Sequence, residues 1–541
     1  MSRPQPARLG PFTGGINNAS DPSMLQDNEL VECINMSLDL DGSLVARPPF
    51  EVVNAVPSPS VSVKDHAFIG SGILNGIPYV FFSYTPYIGT STTYAFDGTN
   101  NLAVGNFRAT KALQYGDVVI FIPSVAGTGG YWDGVTFTTD ASMPVGESAV
   151  TFKSRIFIVP GKNASGPTNH QLKFSEPVDP NNPTTVNWNV GVNIIPVSPG
   201  DGQHLMDIDN YNDNLILFKQ DSTYIFVYDT LPTQGTLKLI NDNIGASERR
   251  SVVSYENSLF VMHEGKVYEI VNYNFNRINE KVPFAFNTTL PVVPDPLGVG
   301  ALAEFQFPVF LSIFGDKLLV RYFSHIYVYE LRTKTWARWE MADQYVNLFG
   351  PLIAMPAINP EDFLIKYYSS SSINTNHRFV IQDGYDNTTY EVASNNGTTK
   401  LAINCSIQTK IYDFGESFSF KRLTWWGMDC ITQSVIAGYV YPVNVRPIAT
   451  WGIVDNYTWG QIQNAIWAYP NPIGIGVITT TVNDPNLLQR KFVKFLKAIR
   501  FRQVYFVVNF SYGGTTLDGP PRFISLTAFI GSKQLVPKQV S

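Results

Sequence analysis

Carboxylates are the side chains of this sequence with the widest chemical reach. Asp117, Glu176, Asp207 and Glu264 are candidates for the acid and base of a glycosidase, which faces two carboxyl groups about 5–10 Å apart. Their spacing along the chain brings no two of them together. The run Asp207-Ile208-Asp209-Asn210-Tyr211-Asn212-Asp213 sets oxygen donors at alternating positions, as a calcium loop does. It lacks the glycine and the terminal bidentate glutamate of an EF-hand loop and reads as a polar turn. The histidines are His66, His170, His204, His263, His325 and His377. None has ligand spacing to another or to a cysteine, so the sequence offers no metal motif. Gly-x-Ser-x-Gly and phosphate-loop signatures are absent, and Gly127-Thr128-Gly129-Gly130 reads as a flexible turn. The expectation is a protein without catalytic residues, cofactor or metal.

Two further sets bear on binding. The segment Lys491–Arg502 interleaves basic and apolar residues, which makes Lys494, Lys497, Arg500 and Arg502 candidates for a DNA-facing or subunit-interface role. As a strand it would place Arg500 and Arg502 on one face, with Ile499 and Phe501 on the other. Trp425, Trp426, Trp451, Trp459 and Trp467 are candidate sugar-stacking residues, with burial in strands the competing reading. Cys33, Cys405 and Cys430 show no CxxC spacing and read as small buried apolar residues; only Cys405 and Cys430 suggest a pair under oxidising conditions.

Whatever these residues do, strands must position them. A phrase of four or five apolar residues, a polar turn and an aromatic-rich strand recurs: Asn214–Phe218 with Thr223–Tyr228, Ser258–Met262 with Lys266–Ile270, and Lys317–Val320 with His325–Tyr329. Earlier versions are Tyr79–Phe82 with Thr93–Phe96, and Val118–Phe121 with Tyr131-Trp132. Two aromatic-Asp-Gly ends, at Gly98 and Gly134, lie about 36 residues apart, a blade-like period. Ser154–Val159 opens another unit, and Phe379-Val380-Ile381 with Thr389–Val392 forms the last. A hairpin of this kind buries its apolar face only against copies of itself. Residues 61–400 are therefore expected to form an all-β propeller of about seven irregular blades. Residues 1–60 read as an extended arm, with one short helix over Asp27–Cys33 capped by Asp27. Residues 401–541 read as a β-sandwich or jelly-roll-like platform with an insertion around Trp451–Pro472.

Composition narrows the function. Of 541 residues, 44% are hydrophobic and only 15% charged, and the net charge is −6. That argues against a sequence-reading nucleic-acid protein, which carries a basic face. It is compatible with a channel through which DNA slides, because basic contacts grip phosphate. No apolar run reaches the length of a membrane helix, and the amino terminus carries no apolar segment of a signal peptide.

Several phrases resemble one family, the tail nozzle or hub proteins of short-tailed bacteriophages, of the tail tubular protein B kind. They are Phe12–Asn18, Asp21-Pro22, Leu25, Asp27-Asn28-Glu29, Asn35-Met36 and Gly42–Pro48; then Phe174–Pro180 with Trp188; Gly202 to Ser222; Gly245-Ala246-Ser247 through Tyr268; and Ile411–Gly415 followed by Lys421-Arg422-Leu423. The resemblance implies a structural virion protein with no chemistry of its own. Six copies would form a ring in the lower tail tube, below an adaptor protein and above spike, needle or fibre proteins. Packaged double-stranded DNA would be held by it and ejected through it. It would be assembled in the host cytoplasm. The alternatives are a propeller glycosidase, depolymerase or glycan-binding tail protein, and a stopper that stabilises packaged DNA or a minor tail protein.

Overall fold

A computed structural model describes residues 5–47, 50–55, 63–86, 90–97, 100–161, 168–178, 186–189, 191–247, 251–284, 310–322, 325–340, 346–354, 363–369, 378–382, 391–392, 400–414, 421–431, 435–443, 475–478, 489–501, 503–512 and 522–532. Apart from a 3₁₀ turn at Pro232–Gln234, the regular structure among them is β-strand. Seven antiparallel four-stranded units follow one another along the chain. Blade 1 runs from Val63 to Gly105, blade 2 from Ala109 to Thr139 and blade 3 from Ser148 to Pro196. Blade 4 spans Leu205 to Asn241, blade 5 Val252 to Arg277 and blade 6 Phe310 to Trp339. Blade 7 takes three strands between Val346 and Gln382, and its fourth, Phe50–Ala55, comes from before blade 1. The first strands of successive blades touch around a ring that closes where Val346–Ala354 meets Val63–Leu74. The fold is a β-propeller.

The recurring phrase is the second and third strand of each blade. Its apolar run does not alternate because the second strand is covered on both faces. In blade 2, Val119 and Phe121 pack against Phe81 and Tyr79 of blade 1. Their neighbours Val118, Ile120 and Ile122 pack against Ile156 and Ile158 of blade 3. The same division recurs in blade 4, where Leu215 and Leu217 join Phe157 of blade 3 while Ile216 and Phe218 join Val261 of blade 5. Continuous apolar strands are what two-sided burial requires. First and fourth strands carry weaker patterns, and Ser154–Val159 is accordingly preceded in its blade by Ser148–Phe152.

The two chain ends build the rest together. One sheet orders Met36–Leu38, Leu44–Ala46, Arg522–Ser532, Lys421–Ile431 and Gln489–Phe501, with Gln5–Leu9 also on Arg522–Ser532. A second runs Glu29–Ile34, Ile403–Thr409, Gln503–Tyr512, Val435–Val443 and Ile475–Ile478, with Gly15–Ile16 alongside Glu29–Ile34. Trp426 from the first sheet stacks on Phe506 of the second, 5.9 Å between ring centres, inside a core shared with blades 5 and 6. Residues 5–46 are thus strands of this platform. The expected helix over Asp27–Cys33 is the strand Glu29–Ile34: its backbone pairs with Ile403–Thr409 and buries Leu30 and Cys33. Seven residues cannot hold a helix by propensity alone, and tertiary pairing overrides it. All three cysteines are buried and none forms a disulfide.

The platform joins the propeller edge to edge. The fourth strand of blade 6, Thr335–Trp339, meets Glu29–Ile34 in parallel at Arg338 and Ile34, so one 10-stranded sheet runs from blade into sandwich. Arg47, 1% exposed, fastens this seam, donating from Nε to Asn35 Oδ1 at 2.9 Å and from Nη2 to the Glu340 carbonyl at 2.5 Å. Asn35 adopts φ 57° so that its own N–H reaches the Arg338 carbonyl and its Nδ2 the Asn404 carbonyl. Gly15, at φ +66°, lies so close to blade 6 that a Cβ would stand 2.8 Å from Thr335 Cβ.

Candidate functional site

Polar side chains gather where the first strands of the blades line the propeller axis. Asp207 and Asp209 sit two residues apart on Leu205–Tyr211 of blade 4, on one side of the strand. Asp207 is buried and accepts a 2.5 Å hydrogen bond from Ser148 Oγ on the first strand of blade 3. Burial raises the pKa of Asp209 to about 6. The Asn210 N–H, Lys111 of blade 2 and Ser254 of blade 5 pull it down, and the Asp207 charge pushes it up. The axis thus holds a carboxyl group that titrates near pH 6, with a lysine from a non-adjacent blade in its field.

The supposed calcium-loop spacing is the alternation of this inner strand followed by a two-residue turn, Asn212-Asp213, with both residues at positive φ. The glycosidase candidates are scattered. Asp117 is exposed in the turn between the first and second strands of blade 2. Glu176 pairs with Arg155 at 3.3 Å on an insertion of blade 3. Glu264 occupies the turn between the second and third strands of blade 5, at the opposite end of the propeller from the Asp117 type of turn.

Of the basic candidates, Lys494 and Arg500 lie on Gln489–Phe501, the last strand of the first platform sheet, opposite Trp425 and Arg422. Lys497 falls where that pairing slips, between Ile499 and Lys494, and Arg502 lies outside the described residues. Trp425 is 39% exposed and Trp426 1%, so adjacent tryptophans face opposite sides of the sheet. Trp451, Trp459 and Trp467 lie outside the described residues.

The family-like phrases have a definite place. Of these phrases, Gly15, Asn18, Glu29, Asn35 and Arg47 meet blades 5 and 6 or the residues that follow them, while Asp27, Asn28 and Gly42 contact the platform itself. Glu29 is buried, accepts from Asn17 and Gln26 and pairs with Lys281 at 2.8 Å, which holds its pKa below the usual carboxylate range despite burial. The Phe174–Val178 phrase folds onto blade 2, with Tyr115 Oη donating to the Val178 carbonyl at 2.9 Å and Trp188 Nε1 to Asp140 at 3.1 Å. One group escaped the sequence reading. Asp221, His263 and Glu264 come from turns of adjacent blades, and their ligand atoms lie within 4.8 Å of one another. His263-Glu264 are sequence neighbours, but nothing in the sequence pointed to Asp221 beside them.

No protein-family model matches the sequence, and no curated protein matches it. Among solved structures, 62% of the chain aligns with 96% of the WD40 domain of Pan2 from Neurospora crassa, at 12% identity and a TM-score of 0.38. The same share aligns with the whole of the AfRom2 CNH domain at 8% identity and a TM-score of 0.38. For the extracellular domain of a putative one-component system from B. thetaiotaomicron, 93% of this chain covers 62% of that chain, at 9% identity and a TM-score of 0.39. The propeller assignment stands on the strand pairing itself.

Proposed function

We propose that this chain is a structural subunit of a bacteriophage tail, of the nozzle or hub kind, and has no catalytic activity. The observation that carries the reading is the seam. Part of the resemblance to tail nozzle proteins, at Gly15, Asn35 and Arg47, falls where the platform joins the end of blade 6. A sheet that runs from blade 6 into the platform and a core shared with blades 5 and 6 tie the two parts together, as a wedge in a ring requires. In this reading copies of the chain close into a homo-oligomeric ring, a hexamer, by a head-to-tail interface. The ring docks to a tail adaptor above and to spike, needle or fibre proteins below. Double-stranded DNA passes through its channel without being read. No helix among the described residues is long and apolar enough to cross a membrane. The seat of the protein is the virion tail. Electron microscopy of the purified protein, alone and mixed with virion tails, tests this. Rings or tubes with a channel wide enough for duplex DNA, on the tail axis, support it. A persistent monomer absent from the tail axis, or one that turns over a glycan, overturns it.

A further inference from the structure

We propose that the paired turns of blades 4 and 5 form a divalent transition-metal site with Asp221, His263 and Glu264 as ligands. Asp221 lies between the second and third strands of blade 4, and Glu264 at the equivalent turn of blade 5. His263 ends the buried second strand of blade 5 and is 5% exposed. Ligand atoms of the three residues lie within 4.8 Å of one another. Bonds of about 2.0–2.1 Å in a tetrahedral site bring such atoms to roughly 3.4 Å apart, so closing on an ion takes a shift of about an ångström in exposed side chains.

The independent sign of a missing ligand is His263 itself. Its Nδ1 is buried without a hydrogen-bond partner, a state that costs about 1–3 kcal/mol if nothing fills it.

Both turns are held by side chains of neighbouring segments. The Asp221 N–H donates to Gln203 Oε1 at 3.1 Å and the Glu264 N–H to Ser247 Oγ at 2.9 Å. Glu264 and Gly265 both adopt positive φ, as a two-residue hairpin turn demands, and this presents Glu264 beside the end of the strand. One nitrogen with two carboxylates suits Zn²⁺ or Co²⁺ better than Ca²⁺ or Mg²⁺, which take oxygen donors. The ion would pin adjacent blades together at one face of the ring and leave a coordination position open to solvent.

The test is titration of chelator-stripped full-length protein with Co²⁺, followed by its visible d–d absorption, and then displacement by Zn²⁺ measured calorimetrically. One saturable equivalent is expected. Asp221→Asn and Glu264→Gln, both at exposed turn positions, should each weaken binding by about 10–100-fold. His263→Gln should abolish it, while Asp229→Asn at an exposed position elsewhere in blade 4 should leave it unchanged. Absence of a saturable equivalent, or equal binding by Asp221→Asn, Glu264→Gln and the unaltered protein, overturns the proposal, whatever the ring experiment shows.

Discussion

The blades and the platform are built of the same element but by opposite rules of sequence distance. Within blade 4, Asn214–Lys219 pairs with Thr223–Val227 across a three-residue turn. In the platform, Gln5 faces Ile530 and Met36–Leu38 follows a strand that pairs with Ile403–Thr409. Blades form from neighbours in sequence, whereas the platform waits for both ends of the chain. Loop closure makes the second kind slow and dependent on the first. The ring shares this dependence at one point, because blade 7 is completed by Phe50–Ala55.

Removing residues 1–55 should break the comparison most severely. It takes the closing strand of blade 7 and five platform strands at once. The expected product is insoluble or lacks a cooperative melt by circular dichroism, although the sequence of blades 1–6 is intact. A soluble truncation with a sharp transition would mean that the ring closes without its outer strand.

Two core truncations sharpen the contrast. Phe121→Ala, between blades 1 and 2, and Trp426→Ala, between the platform sheets, should each cost about 3–5 kcal/mol in denaturant titrations. Their patterns should differ. Hydrogen exchange should rise in Phe121→Ala mainly over residues 63–139, and in Trp426→Ala over both termini together. Trp426 is boxed in as few residues are: a Cβ at Gly438 would stand 1.9 Å from its Cη2.

Arg47→Met asks what the seam contributes. The Glu340 carbonyl loses its 2.5 Å partner, and a loss of about 2–4 kcal/mol is expected, since hydrogen bonds to charged groups exceed neutral ones. The measurement is a shift in denaturation midpoint together with new protease cleavage near residues 278–284, which Trp336 and Lys281 tie to the seam.

The smallest effect is expected at the axis. The pKa of Asp209 rises from 3.8 to about 6 on folding. The native state therefore binds more protons than the unfolded one between those values, and stability falls as pH rises through that window. Asp209→Asn should flatten this part of the stability profile. Above pH 6 it should be more stable than the parent. A profile unchanged between pH 4 and 6 would place the group in a wetter environment than its strand position indicates.

How far the sequence could be read follows the same division. The second strands declared themselves because burial on both faces forces an unbroken apolar run, as in Val118–Pro123 with all six residues buried. First strands such as Leu205–Tyr211 were harder to see. One side of them faces the axis and carries Asp207 and Asp209, so the inner strand resembled a polar turn. The strand Glu29–Ile34 was mistaken for a helix because six residues carry too little periodicity to separate the two.

The amino-acid sequence alone determined that the chain is all-β, that its middle is a repeat of about seven hairpins, and where the central strands and their turns fall. Those features are local, set by apolar runs a few residues long and by turn-forming residues between them. Tertiary structure alone decided that the first residues belong to the last sheet and that Phe50–Ala55 closes the ring. It also brought Asp221 to His263. Each of these rests on strands hundreds of residues apart or on adjacent blades, and their meeting depends on the packing of the whole rather than on any pattern within a segment.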